Sequence, residues 1–480
     1  MTGVALVLVF LAVAFLMYTG KLPALVALPL LALALTFTAG LPHHWPATTG
    51  GAWGAGQACW RTLNLAFVTV VGDGVSRLQG AIFTVMLGGI FAHLIKLTHT
   101  AESLVRRVAE LAGDEPFTIS LVLSLAVSFL FTTLGGLGSV IMVANIFFPV
   151  LLSLGVPALL AACIFLMAMA TGGLFNLVNL AFFADILKLG SQDMLRFVIP
   201  FALLNTAALV TFMAVEFKRS RLPLAWSSVL KAGLGLGILL AAAAGLKGAA
   251  AAWPAAWVWA GRGFGAAILL VALLPPRLRP GAAVLAPFVP LGLVLFLNWP
   301  INAGFVAGIL YLLRTASRGH DSPPANRQLT QAVVEGLQGV TPAIGVMMGI
   351  GMVLVAVAQP PVAAALEPLL RVVVPSSAVG YLAFFGLLAP LALYRGPLNL
   401  WGMGGGLLGL LQRTGLLSPA ALFAAFMSTG QLQGVCDPTN TYNVWIAAQL
   451  KIDVNAILRK TLPYIWVMAS AGLVLGLALG

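Results

Sequence analysis

Charge is scarce in this sequence. Only 8% of its 480 residues are Asp, Glu, Lys or Arg, while 61% are hydrophobic. A soluble domain needs about a quarter of its residues charged to cover its surface. The shortage excludes a water-facing exterior over most of the chain, and the mean hydropathy of +1.04 agrees. Metal-ligating side chains are also sparse, with five histidines and three cysteines. Cys59, Cys163 and Cys436 are too few and too far apart for a disulfide framework or a zinc site. The pairs His43/His44 and His93/His99 match no metal-ligand spacing. Long polar loops are few as well. The longest polar stretches, 41–78 and 315–337, hold no acid–base cluster, so an enzyme and any bound cofactor are not expected. Gly402–Gly406 lacks the Lys-Ser/Thr of a phosphate loop.

What is abundant is apolar sequence in long runs. They fall near 4–18, 23–40, 79–95, 118–153, 157–188, 196–217, 224–246, 256–275, 281–298, 302–314, 338–357, 377–413, 419–450 and 460–479. A span needs about 20 apolar residues, so the chain reads as an all-α polytopic membrane protein of about a dozen spans. The first run lacks a basic residue before it and reads as a span, not a leader. The net charge of +12 sits in short clusters between the runs. That is the pattern of cytoplasmic loops, not of a nucleic-acid surface.

Four segments do not fit one span each. Segments 118–153 and 377–413 carry Gly135, Gly136 and Gly138, and Gly396 and Pro397, at their centres. Each is expected to be a re-entrant helical hairpin. Segments 157–188 and 419–450 carry Thr171-Gly172-Gly173 and Gln433-Gly434 and are expected to be broken helices. Backbone unwound at membrane depth is tolerated only where protein or water satisfies it. The four fall in two series. Thr84–Gly88 resembles Gly345–Gly349, Gly136 and Ser139 align with Gly396 and Asn399, and Pro157, Ala158 and Gly172 align with Pro419, Ala420 and Gly434. The implied division is a first repeat at 1–222, two linking spans at 223–280 and a second repeat at 281–480. With the N-terminus outside, the basic residues Lys21, Lys96, Arg106, Arg107, Lys218, Arg219, Arg221, Lys231, Arg277, Arg279, Arg314, Arg318, Arg327, Lys451, Arg459 and Lys460 lie inside. They outnumber those outside by about two to one, which supports this orientation and an inverted topology of the repeats.

Hairpin tips and breaks of this kind converge near the midplane. Half-helix N-termini there face an anion, and free carbonyls hold a cation. The expected substrate-binding set is Thr133, Gly136, Ser139, Asn176, Arg395, Gly396, Asn399, Thr439 and Asn440. The expected coupling-ion set is Asp437, Thr171, Asn179, Ser428 and Thr429. Arg395 is a charge inside an apolar run, and its planar fork suits a carboxylate. Asp437, in Cys436-Asp437-Pro438-Thr439-Asn440, can hold sodium or carry a proton. An ion pair between Arg395 and Asp437 is the structural alternative. Asp185 and Glu216 read as interfacial, and Glu102, Arg106, Arg107, Glu110 and Asp114 read as an amphipathic surface helix.

On these residues the chain resembles the ion transporter superfamily of citrate, dicarboxylate, gluconate and arsenite carriers. The Gly136/Ser139 and Gly396/Asn399 tips, and the Thr171–Asn179 and Ser428–Asn443 breaks, fall where that family binds substrate and ion. Where the dicarboxylate branch has Ser-Asn-Thr, this chain has Leu137-Gly138-Ser139, Pro397-Leu398-Asn399 and Pro438-Thr439-Asn440. Its Gly-rich tip is closer to the gluconate or citrate branches. The resemblance implies a secondary carrier of a small organic anion, a homodimer in the cell inner membrane, driven by H+ or Na+ through an elevator-type motion. The alternative is a cation/proton antiporter of related architecture.

Overall fold

The computed structural model describes residues 2–19, 21–45, 51–111, 115–224, 254–275, 281–316, 324–375 and 377–479. The expected span 224–246, most of the 223–280 linker and Asp114 lie outside them. Every regular element among the described residues is helical. In chain order these are α1 (Thr2–Tyr18), α2 (Ala24–His44), α3 (Gly51–Asn64), α4 (Gln79–Leu97), α5 (Thr100–Leu111), α6 (Pro116–Leu130), α7 (Leu137–Ser153), α8 (Ala158–Gly173), α9 (Leu177–Leu187) and α10 (Ser191–Arg219). They continue as α11 (Pro254–Leu273), α12 (Phe288–Leu297), α13 (Ile301–Thr315), α14 (Ala325–Ala358), α15 (Pro360–Val373), α16 (Ala378–Leu387), α17 (Gly405–Thr414), α18 (Pro419–Cys436), α19 (Thr441–Leu450) and α20 (Val454–Leu479).

Five of these are long and apolar enough to cross a membrane, namely α2, α4, α10, α14 and α20, and six spans result if the bent pair α8–α9 counts as one. The protein is therefore multi-pass. Seven shorter apolar helices, of 10–17 residues, stand beside them among the described residues. The stretch 41–78 is not a loop. Gly51–Asn64 is helical and runs on into a wide π-type turn over Leu65–Asp73. Glycines and polar residues interleaved through Gly51–Asn64 hid it from a hydropathy reading. Much of 315–337 is likewise helical, as the first part of α14.

Each expected hairpin region holds two short helices around an irregular turn: α6 and α7 about 131–136, and α16 and α17 about 388–399. Each is preceded by a short helix, α5 or α15, and followed by an interrupted pair and a long helix. The series α5 to α10 thus recurs as α15 to α20. The core is contiguous, with Phe147, Phe165, Phe182 and Phe201 fully buried. Small residues allow the closest approaches. A Cβ added at Gly89 would stand 2.7 Å from the Gly336 carbonyl, and one at Gly336 2.7 Å from the Gly89 carbonyl. These glycines weld α4 to α14.

Candidate substrate and ion site

The two interruptions are built on the same cap. Asn176 ends the first break, and its Oδ1 accepts from Val178 N at 3.1 Å and Asn179 N at 3.4 Å. Asn440 ends the second, its Oδ1 accepting from Tyr442 N at 3.1 Å. Asn is among the best N-caps, because its short side chain satisfies donors that the helix start leaves orphaned. A second Asn three residues on ties each break back. Asn179 Nδ2 donates to the Gly173 carbonyl at 3.2 Å, and Asn443 Nδ2 donates to the Asp437 carbonyl at 3.0 Å. The half-helices then end alike, on left-handed Lys188 (φ 58°) and Lys451 (φ 54°). These caps pair Gly173 with Asp437. The sequence alignment, which paired Gly172 with Gly434, is therefore displaced at the break itself. The first pair bends by 48°.

Each break holds the hairpin of its own series. Asn176 Nδ2 donates to the carbonyls of Phe131 at 3.0 Å and Leu134 at 2.9 Å, and Leu177 N to that of Thr132 at 3.2 Å. In the second series Arg395 N lies 3.5 Å from Asp437 Oδ2. Each half-helix also reaches the hairpin of the other series. Phe182 of α9 packs on Trp401 with ring centroids 5.0 Å apart, and α19 packs on α7, bringing Tyr442 beside the Gly136 backbone. Both tips and both breaks therefore form one assembly. Tyr442, Trp401 and Phe182 were missed in the sequence. Tyr442 carried a signal, as a polar ring in the first turn after the Asn440 cap.

The expected site residues divide sharply. In the first series the hydroxyls and amides are already in use. Ser139 Oγ donates to Gly135 O at 2.8 Å, Thr133 Oγ1 to Leu130 O at 3.4 Å and Thr171 Oγ1 to Met167 O at 2.9 Å. Gly136 caps α7 at φ 81°, a conformation that favours glycine. In the second series buried oxygens are left over. Among the described residues, Asn399 Oδ1, Ser428 Oγ, Gln431 Oε1 and Asn443 Oδ1 are buried with no hydrogen-bond partner. Each such atom costs about 1–3 kcal/mol unless something fills its valence. Asp437, 1% exposed, accepts through Oδ1 from Thr439 N at 2.8 Å and Thr439 Oγ1 at 2.7 Å. No cationic side chain pairs with it among the described residues.

Two expectations are corrected. The Arg395–Asp437 ion pair does not form. The backbone of Arg395 meets the carboxylate, and its half-buried guanidinium makes no hydrogen bond among the described residues. Second, the sharp turn is not at Gly396 but at Tyr394 (φ 54°) and Arg395 (φ 57°). Two successive non-glycine residues in the left-handed region store about 1–3 kcal/mol each, a feature that clusters at functional sites. Gly396 is required for closeness instead, since a Cβ there would lie 2.1 Å from Leu391 O. Ser428 and Thr429 sit mid-helix in α18, about 12 Å along the axis before Asp437 at 1.5 Å per residue. Thr429 Oγ1 bonds to Ala425 O at 2.9 Å, while Ser428 Oγ faces Gly472 of α20 with no hydrogen-bond partner among the described residues.

No family model and no curated protein matches the chain. Among solved structures it is similar to the YdaH transporter of Alcanivorax borkumensis, with 17% identity over 94% of this chain and 96% of that one and a TM-score of 0.48. At that level the likeness assigns neither family nor function.

Proposed function

We propose that the protein is a secondary active transporter that moves a small carboxylate-type organic anion across the cell membrane, coupled to H+ or Na+. The observation that carries this reading is the second break. There the Arg395 backbone N–H lies 3.5 Å from a buried carboxylate, the Arg395 guanidinium makes no hydrogen bond among the described residues, and amide oxygens of the same series are unpaired. A guanidinium fork suits a carboxylate. Carboxylate and amide oxygens suit a sodium ion or a proton. A site with both functions fits anion and cation moving together. The two series of elements are read as inverted repeats that move elevator-fashion, in a homodimer of the cell inner membrane. Purified protein in proteoliposomes tests the reading through gradient-driven uptake and counterflow over a panel of carboxylates. Failure to take up any organic anion, under either ion gradient, would sink it.

A cation/proton antiporter is the second reading, favoured by the absence of a cationic partner for Asp437 among the described residues. Asp437→Asn and Arg395→Ala separate the two. A carrier of organic anions loses uptake with either change, whereas an antiporter loses activity with the first and keeps it with the second.

A further inference from the structure

Away from the breaks, one carboxylate is buried deeply. Glu216, near the end of α10, is 2% exposed. Its Oε2 accepts a short hydrogen bond from Lys460 Nζ of α20, and its Oε1 accepts from Arg219 Nη1 at 2.9 Å and lies 3.5 Å from the Tyr464 hydroxyl. It was expected to be interfacial. Instead it joins the two long helices that follow the two breaks. Holding them together does not require a charge, since Phe212 and Tyr464 already pack edge to face at 5.1 Å beside it. A buried ion pair is a weak source of stability compared with an apolar contact, and its best-attested use is to fix one arrangement among several.

What it fixes is visible one residue along. Thr461, fully buried, places its Oγ1 3.2 Å from Cys436 Sγ. Successive helical residues point about 100° apart, so Lys460 and Thr461 hold α20 from two sides. Cys436 ends α18, and Asp437 is its C-cap. The rotation of α20 therefore sets where the break begins. We infer that Glu216 and Lys460 form a charge clamp that positions the second break, and with it Asp437, through Thr461 and Cys436. This makes them positioning residues for the site, and their role in transport rests on the reading above.

The three cysteines provide a test that needs no substrate. In full-length protein carrying Cys59→Ala and Cys163→Ala, maleimide labelling reports the opening of Cys436 alone. In protein carrying Cys59→Ala, Cys163→Ala, Cys436→Ala and Ala32→Cys it reports position 32, which is buried in α2 away from the clamp. Glu216→Gln and Lys460→Met are each expected to speed labelling of Cys436 by about tenfold, because labelling follows the population of the locally open state. Position 32 should change little. Lys460→Arg, which keeps the charge, should keep labelling slow. Unchanged labelling of Cys436 in both single variants overturns the clamp, and so does equal acceleration at both cysteines, which would mean general loosening. If Glu216→Gln does not fold, Lys460→Met decides alone. Faster labelling at Cys436 without any anion uptake would uphold the clamp while the transport reading fell.

Discussion

At the first break Asn176 gives both amide hydrogens to hairpin carbonyls, while at the second the matching Asn440 gives one to Gln433 O of α18, across its own break, at 3.2 Å. The first break thus clasps its hairpin through its cap. The second touches its hairpin through Asp437, and its series keeps four buried side-chain oxygens unpaired among the described residues. One scaffold has been turned to two ends: a closed joint, and a joint with open valences. Small hydroxyl and amide residues at matching positions do not imply matching roles, because role depends on whether the partners are protein or ligand.

The comparison breaks most readily at the glycines. A Cβ at Gly172 would stand 1.9 Å from Ser128 O, whereas one at Gly434 would meet only Ala170 Cβ, at 3.8 Å. Gly172→Ala should cost about 3 kcal/mol or more and Gly434→Ala less than about 0.5 kcal/mol, read as unfolding midpoints in detergent. Equal effects would mean that the two helices are not held differently.

Next in size are the amides. Asn176→Ala removes a cap and leaves the Phe131 and Leu134 carbonyls unpaired, for about 3 kcal/mol of lost stability. Asn399→Ala removes an unpaired acceptor, so stability should hold within about 1 kcal/mol. Transport should instead weaken by about tenfold in apparent affinity, measured as the KM of uptake, which corresponds to about 1.4 kcal/mol. A stable Asn176→Ala protein, or an Asn399→Ala protein with unchanged KM, would erase the contrast.

The tips should differ by about 1 kcal/mol, in opposite directions. Gly136→Ala forces a Cβ into φ 81° and should destabilise. Arg395→Gly relieves a left-handed non-glycine and should raise the unfolding midpoint while abolishing anion uptake. The smallest effect lies at the starts of the long helices. Asp453 has its carboxyl pKa held below 3.8, first by the Asn455 backbone N–H and then by Arg459, whereas α10 starts after Gly190 with no side-chain cap. A depressed folded pKa gives stability that is present above the ordinary carboxylate value and lost as pH falls through the folded one. Melting curves below pH 4 should show a slight loss, and Asp453→Asn should remove that slope.

Much of the fold was legible in the sequence, and less of the site. Apolar runs marked most helices, and Gly172-Gly173 and Pro438 marked the breaks, because chain-breaking residues act locally. Left-handed Tyr394 and Arg395 left no such mark, since neither residue favours that conformation and the surrounding contacts impose it. Whether Ser139 or Asn399 was free to bind anything was equally hidden. That depends on which carbonyl lies 3 Å away after folding. Burial of Glu216 could not be seen either, because its partner Lys460 is distant in sequence.

The cross-bracing has a consequence for how the chain is made. Phe182 in the first series leans on Trp401, and α7 behind the Gly136 tip packs against α19 at Tyr442. Translation delivers Gly136 long before Tyr442, so the first hairpin enters the bilayer without its brace. Contacts at such sequence separation form late and slowly, and partners left waiting are exposed to mispairing. The clasp of Asn176 on Phe131 and Leu134 is local by comparison and can close as soon as α9 is synthesised. The fully bonded first break thus serves as a holding stitch, keeping half a protein in shape until the other half arrives.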